Sequence, residues 1–307
     1  MANEVIYSGL GDLRYATILG QEIQLLIADR ANLWGHSAIV FYGDAGASGS
    51  AAFDVLLAGL DGSDVMAAAN TDEVTAIANT ALTDASPAIT VARQALAYQM
   101  SDLASSTDAS GLTPERLAAS MVGSAAMRFT EMIAALPENF SSQVGTTTVD
   151  MSVDDFFDAQ FTLTQASVPG PYLALLYPVQ LTDLQNSIRA EAGALQFIAA
   201  TQELLSIKGP GFAGTFNGVD IFASSKVPQH SSTVDSAGGM WGRGAVGYRE
   251  MSVSLAPGHA GLQSLRGPVM VEFERDAAGG LTKIVGNYYV GVAEIEDSRG
   301  VGIKTDR

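Results

Sequence analysis

The longest regular pattern of apolar and polar residues lies between Thr113 and Leu136. Apolar side chains recur there every three or four residues, which is the spacing of one face of an α-helix. Thr113 is suited to cap the first turn and Pro114 to occupy the first helical position, while Pro137 stops the helix. The sequence therefore predicts a helix of about 35 Å that needs a sheet or another helix along its apolar face.

A second strong pattern lies near the carboxyl end of the chain. Apolar and polar residues alternate over Val269–Arg275 and again over Leu281–Ile295, and Ala278-Gly279-Gly280 between them favours a tight turn. This pattern predicts a long antiparallel hairpin. We expect the Thr113–Leu136 helix to pack on it.

Shorter patterns predict further elements. Helices are predicted over 13–33, after a Ser152 cap, over 181–192 and over 195–207. Strands are predicted over 39–42, 146–151, 172–177 and 219–223, the last of them following an Asn217-Gly218 turn. Residues 89–103 are predicted to form a strand and then a short helix, and residues 228–239 to form a loop.

The segment from Gly43 to Pro87 differs from the rest of the chain. It contains many small residues and few apolar anchors, among them Phe53, Val55, Leu56 and Leu57, so it cannot build a core of its own. The segment is either disordered or extended over another surface, and the apolar anchors favour the second interpretation.

The composition of the chain limits the classes of function that it can have. The 307 residues suffice for one large or two modest domains, and 16 Lys and Arg stand against 33 Asp and Glu, a net charge of −17. Such an acidic surface repels phosphate, which argues against sequence-independent nucleic-acid binding. A mean hydropathy of +0.19 is high for a soluble monomer and indicates apolar surface covered by partner subunits.

Several classes of protein and site find no support in the sequence. The absence of cysteine excludes disulfides, thiolate nucleophiles and cysteine metal sites. No uncharged apolar run approaches the ~18 residues of a membrane-spanning helix, and the N-terminus lacks the basic start of a secretory signal. We therefore expect no membrane association.

No arrangement of side chains predicts catalysis. The three histidines, His36, His230 and His259, stand alone, without a second histidine at ligand spacing. The carboxylates of Asp154, Asp155 and Asp158 are expected to face the positive end of a helix dipole. The glycine sequence at 242–247 lacks the register of a phosphate-binding loop. We predict no catalytic residue, no cofactor and no metal. Trp34 and Trp241 are either interface anchors or, as is commoner for single tryptophans, buried in the core.

One order of elements is familiar. A strand ending in Tyr177-Pro178 leads to a helix, a second helical segment and the strand GVDIFASSKVP at 218–228. MWGRGAVGYRE at 240–250 and the closing hairpin follow, with strand 271–275 against 286–292, while ITVARQALAYQMSDLASS at 89–106 precedes the long helix. This order resembles the major capsid proteins of tailed bacteriophages with the HK97-type fold, over residues 13–306.

The resemblance implies an α+β capsid fold in five parts. These are an N-terminal arm (1–34), an extended β-hairpin loop (35–88), a peripheral domain (89–147) with spine helix 113–136, a mixed α/β axial domain (148–250), and a return to the peripheral domain (251–307). The spine helix would pack on an antiparallel sheet. The loop would lie across a neighbouring subunit, which explains why residues 43–87 lack a core.

The resemblance also implies partners. Copies of the chain would form pentamers and hexamers of an icosahedral virion shell around double-stranded DNA, assembled in the host cytoplasm. A separate scaffolding protein is expected, because only an arm-sized segment precedes the loop. A portal is a further expected partner, and a decoration protein is a candidate partner. Some family members crosslink a loop lysine, but residues 1–207 contain none, so we expect non-covalent stabilisation.

The resemblance also yields candidate site residues. The candidate inter-subunit contacts are Trp34, Phe53, Val55, Leu56 and Leu57, and the candidate DNA-facing residues are Arg116 and Arg128. Two alternatives remain at this point: an encapsulin-like cellular compartment with the same fold, and an acidic hydrolase using Asp154, Asp155 and Asp158.

Overall fold

The computed structural model describes residues 33, 36–44, 52–54, 87–101, 114–191, 197–208, 211–230, 235–251 and 269–306. Over these ranges the chain forms a five-stranded sheet, an eight-stranded sheet, a two-stranded ribbon and four α-helices. None of the helices described is both long and apolar enough to span a bilayer.

The first sheet is built around β14 (Leu281–Glu294). One edge of β14 pairs antiparallel with β4 (Ala92–Ser101). The other edge pairs with β13 (Val269–Asp276) and further along with β12 (Val246–Glu250). β1 (Ile39–Asp44) lies parallel to β12. The predicted hairpin is thus confirmed, and its strand β14 forms the centre of this sheet.

Helix α1 (Pro114–Ala134) packs on the first sheet, as the sequence predicted. Met121, Phe129 and Ile133 are buried beneath it, and the ring of Phe129 meets that of Tyr248 edge-on, with centroids 5.2 Å apart. The side chain of Met121 lies over Gly286 of β14, where a Cβ would sit only 3.1 Å from its Sδ. The glycine therefore lets the helix approach the sheet closely.

The second sheet joins distant parts of the chain. From one edge to the other its strands are β5 (Gln143–Val144), β15 (Gly300–Asp306), β11 (Asp235–Trp241), β6 (Leu173–Leu176), β9 (Val219–Ala223), β8 (Phe212–Phe216) and β7 (Ile198–Ala199), and β10 (Gln229–His230) pairs with β11. Helices α2 (Val153–Gln165) and α3 (Pro178–Ala190) share an apolar core with this sheet, and α4 (Gln202–Lys208) follows β7. Short 3-10 turns occur at Pro137–Asn139 and Asp297–Arg299.

Local signals set several of these boundaries. The Ser152 hydroxyl accepts from the Asp155 N–H (3.2 Å), and the Asp155 carboxylate accepts from the Ser152 N–H (2.9 Å), which completes a capping box for α2. α3 begins three residues before its predicted start because Pro178 occupies its first turn. Asn217 and Gly218 have φ values of 48° and 77°, as expected for the predicted tight turn between β8 and β9.

Four expectations about single elements are wrong. Residues 92–101 continue as a strand where a helix was predicted, because pairing along β14 overrides helix propensity. Residues 198–199 pair with β8, so the predicted helix 195–207 is confined to α4. β11 occupies the end of the predicted loop 228–239. Residues 146–149 form a turn, and the strand lies earlier, at β5. The predicted helix 13–33 lies outside the described residues except for Leu33.

The chain changes sheets twice near its carboxyl end. Gly242–Ala245 carries it from β11 in the second sheet to β12 in the first, and β15 returns to the second sheet. A Cβ at Gly242 would collide with Val168, and Gly244 has a φ of 95°, so both positions favour glycine. The pairing therefore places β12 in the first sheet and β15 in the second.

Candidate subunit interface

A groove of about 310 Å³ runs between α1 and the first sheet. It is mainly apolar, and its lining residues are Gln94, Ala95, Leu96, Met121, Ser124, Ala125, Arg128, Gly286, Asn287 and Tyr288. The missing side chain at Gly286 and the small side chains of Ser124 and Ala125 leave this space open. A concave apolar surface with a few polar groups at its rim is suited to receive part of another chain.

Arg128 places a guanidinium group, paired with the Glu131 carboxylate, at the groove. Its Nε donates to Gln94 Oε1 and its Nη1 donates to Glu131 Oε2, each at 3.0 Å. Gln94 projects from β4 and Glu131 from the next turn of α1, so the guanidinium is held between helix and sheet. Arg128 is one of the two predicted DNA-facing residues; the other, Arg116, lies on α1, and its side chain is outside the described set.

Tyr288 connects the groove to a partly buried carboxyl group. Its hydroxyl donates to Glu250 Oε1 at 3.2 Å, and Glu250 lies opposite Asp44 in the β1–β12 pair. Burial raises the pKa of Glu250 to about 7, and the charge of Asp44 adds to the rise, although the hydrogen bond from Tyr288 opposes it. Burial and the neighbouring Glu250 also raise the pKa of Tyr288. Glu250 is therefore largely protonated below neutral pH.

This carboxyl group predicts a pH dependence of stability. The folded state holds the Glu250 proton up to a pKa of about 7 and the unfolded state only up to 4.5, so the free energy of unfolding falls as pH rises between these values. Glu250→Gln keeps an acceptor for Tyr288 without titrating. We expect the loss of stability between pH 4.5 and 7.5 to be smaller in this variant by about 3 kcal/mol.

Urea unfolding at both pH values measures this difference. Glu274→Gln, on an exposed part of β13, is the matched control and should retain the full pH dependence of the parent. Equal pH dependence in the Glu250→Gln variant and the parent would show that Glu250 does not hold its proton in the folded state.

A two-stranded ribbon is formed by short strands on either side of an acidic stretch of the chain. β2 (Ala52–Asp54) pairs antiparallel with β3 (Ala88–Thr90), and Asp54 lies opposite Ala88. Asp54 and Ala88, which flank residues 55–87 in the sequence, are thus adjacent. Residues 44–92 contain seven Asp and Glu and neither Lys nor Arg, so this stretch has the charge opposite to that of Arg128.

The predicted contact residues are only partly visible. Phe53 lies in β2, with its side chain outside the described set, and Trp34, Val55, Leu56 and Leu57 lie outside the described residues. These contacts remain predictions. The sequence did not single out the groove, because its lining comes from three distant elements; the only local signals are the alternation along β4 and the isolated Gly286.

The other residues considered for catalysis, metal binding or subunit contact are the aspartates of α2, two histidines and Trp241. Asp155 is engaged in the α2 cap, while Asp154 and Asp158 are exposed on the same helix. Among the described residues, no group of three His, Asp or Glu side chains is placed to hold a metal ion. His230 Nδ1 lies 3.3 Å from Glu138 Oε1, and Trp241 is fully buried. His259 is outside the described residues.

The fold as a whole is that of known protein shells. No family model matches the sequence, and no curated protein matches it. The capsid of the cyanophage P-SCSP1u superposes with a TM-score of 0.62 at 12% identity, covering 88% of this chain and 86% of that one. The capsid of an empty GTA particle gives 0.60 at 12% identity and covers 91% of both chains.

An encapsulin shares the fold too. The holo-SrpI encapsulin complex from Synechococcus elongatus superposes with a TM-score of 0.58 at 13% identity, covering 86% of this chain and 84% of that one. The chain therefore has the α+β fold of these shells, and the HK97-type fold class predicted from the sequence is confirmed.

Proposed function

We propose that this chain is the major capsid protein of a tailed bacteriophage and assembles through pentamers and hexamers into an icosahedral shell around double-stranded DNA. The observation that carries the proposal is its structural similarity to phage capsid subunits over about nine-tenths of both chains. As a capsid subunit the protein is a structural component of the virion and not an enzyme. Imaging the particles formed by the full chain tests the proposal.

The described contacts support a non-covalent shell. The groove beside α1 offers apolar surface and the charge of Arg128, while the acidic stretch 44–92 offers apolar anchors and carboxylates. A neighbouring copy's loop seated on this groove would bury both. Each contact is weak by itself, and repetition under closed symmetry makes the shell stable. Without lysine before Lys208, no lysine crosslink from this loop is available.

Filling the groove is expected to block assembly. Ser124 is exposed on α1 and lines the groove, so Ser124→Trp should obstruct it without disturbing the core. A loss of about 1.4 kcal/mol per contact lowers each association constant about tenfold, and the losses accumulate over the shell. We expect few or no closed particles by sedimentation, with unchanged urea stability of the subunit.

The matched control is Ser124→Ala, which changes the same position without filling the groove and should assemble like the parent. Normal particle yield from Ser124→Trp would remove the groove from the set of subunit contacts.

The net charge of the chain suggests how strongly the inner wall of the shell binds packaged DNA. A net charge of −17 favours an inner wall that touches DNA weakly and non-specifically. Of the two candidate contacts, Arg116 and Arg128, the second would be covered by the neighbour's loop, which leaves Arg116 to face DNA. We expect emptied particles to show no salt-dependent rebinding of duplex DNA. Strong binding at low salt that disappears near ~200 mM salt would contradict this proposal.

The remaining assignments follow from the same proposal. The shell would assemble in the host cytoplasm with a separate scaffolding protein and a portal, and a decoration protein is a further candidate partner. Residues 1–34 would form the arm, 35–88 the extended loop, 89–147 the peripheral domain with the spine helix, 148–250 the axial domain, and 251–307 the return to the peripheral domain.

One alternative has its own supporting observation. The similarity to an encapsulin suggests a cellular compartment with the same fold that packages protein cargo. Particles purified from the natural source distinguish the two functions, because a phage capsid contains double-stranded DNA and a compartment contains a cargo protein.

A further inference from the structure

We propose that His36 is a pH-sensitive tie: it holds the turn that leads into β1 against the second sheet while its imidazole is neutral. This role is independent of shell assembly. Protonation of the imidazole would release the turn.

The imidazole joins two parts of the fold that are far apart in sequence. Its Nε2 lies 3.2 Å from Asp220 Oδ2 on β9, and its side chain is only 7% exposed. Its ring meets that of Phe222 edge-on, with centroids 5.7 Å apart. Leu33 and Ala38, on either side of it in the chain, are fully buried. His36 therefore anchors the entry to β1 in the core.

The hydrogen bonds require a neutral ring. The Ala38 N–H donates to His36 Nδ1 at 3.2 Å, so Nδ1 accepts and the single ring proton resides on Nε2, where it is donated to Asp220. A second proton would have to bind Nδ1. Two donors would then face each other, and the bond that shapes the turn before Ile39 would be lost.

The surroundings also oppose a second positive charge. Asp220 Oδ2 already accepts from Lys208 Nζ of α4 at 2.5 Å, so the imidazole and the ammonium group share one oxygen atom. Thr215 Oγ1 lies 3.4 Å from the other oxygen. Asp220 and Lys208 are the charged groups that face the ring from the described elements packed against it. Protonation would place two cations on one carboxylate oxygen inside the protein.

The pKa values agree with this geometry. Burial lowers the pKa of His36 below 6.5, and the charge of Lys208 lowers it further, although Asp220 opposes both. Burial alone would raise the pKa of Asp220, but the hydrogen bonds from Lys208 and His36 lower it, so the carboxylate stays charged. The opened turn binds the proton better than the closed one. Acid therefore favours opening below pH 6.5.

Hydrogen exchange on the full-length protein tests the proposal. Exchange of the imidazole C2 proton, followed by mass spectrometry, reports the pKa of His36, and amide exchange over residues 36–44 reports opening. We expect a His36 pKa below 6.5 and an opening equilibrium that rises by up to about tenfold per pH unit just below that pH. A His36 pKa of 6.5 or higher would overturn the proposal.

Two variants separate the proton effect from packing. His36→Gln retains a donor and an acceptor without titrating, so the rise in opening over residues 36–44 as pH falls below 6.5 should disappear, which leaves only the opposite pH dependence contributed by Glu250. His230→Gln should behave like the parent. Lys208→Met removes the competing cation and should raise the pKa of His36. Parent-like pH dependence in His36→Gln, or an unchanged His36 pKa in Lys208→Met, would contradict the proposed tie.

Discussion

Replacing residues 55–87 by Asn-Gly is expected to give a folded subunit that no longer closes shells. The replacement joins Asp54 to Ala88, which already lie opposite each other in the β2–β3 ribbon, through a turn sequence that favours two-residue hairpins. Shortening the connection also adds no loop-closure cost, since that cost grows with loop length. Both sheets and α1 should therefore remain intact, while the segment proposed to lie across a neighbour is gone.

Circular dichroism, urea unfolding and sedimentation velocity of the variant and the parent measure this outcome. The parent should sediment as closed particles and the variant as free subunits or small oligomers, with the unfolding midpoint of dissociated parent subunits. Replacing residues 277–280, the turn between β13 and β14, by Asn-Gly is the control for shortening a connection elsewhere. A loop variant that unfolds would place residues 55–87 in the core of the subunit.

Truncating Phe129 is expected to destabilise the subunit strongly. Phe129 is fully buried, and its ring packs edge-on against Tyr248 of β12, so Phe129→Ala leaves a cavity between the helix and the first sheet. Such truncations cost about 3–5 kcal/mol. This loss is a large fraction of the 5–15 kcal/mol by which folded domains are typically stable.

Met127 provides the matched control on the same helix, because its side chain is 59% exposed. Met127→Ala should lower the free energy of unfolding by no more than about 0.5 kcal/mol in urea titrations under the same conditions. Similar effects of the two substitutions would mean that α1 does not depend on the first sheet for its stability.

The elements predicted correctly are those with strong signals in their own residues. The Thr113-Pro114 start and the Pro137 stop enclose α1, and Ser152 caps α2 as expected. Alternation and the Ala278-Gly279-Gly280 turn identified the β13–β14 hairpin. In each case a cap, a turn or an apolar period within about 25 residues contains the information.

The elements predicted wrongly depend on partners far along the chain. β11 contains Ala237-Gly238-Gly239, which favours a loop because glycine is depleted in strands. In the fold these glycines leave space for neighbouring residues. A Cβ at Gly238 would lie only 2.7 Å from Gln180 Oε1, and one at Gly239 only 2.5 Å from Pro137, so both would collide. β15 joins the second sheet by pairing with β11 and β5, and nothing in its own residues selects that sheet.

The candidate functional surfaces, like these strands, depend on contacts between distant parts of the chain that local sequence patterns do not show. Arg128 was identified from the sequence because it is a rare positive charge, but its partners Gln94 and Glu131 and the groove beside it depend on how α1 sits on β4 and β14. His36 was predicted to have no chemical role, since a lone histidine has no pattern. Only the fold brings it to Asp220 and Lys208.

Cryo-electron microscopy of the purified full-length protein, expressed alone and with its scaffolding partner, tests the central claim most directly. We predict closed particles of uniform diameter, in which a subunit's residues 55–87 lie on the α1 groove of its neighbour. A protein that remains monomeric or forms only irregular aggregates under both conditions would contradict this claim.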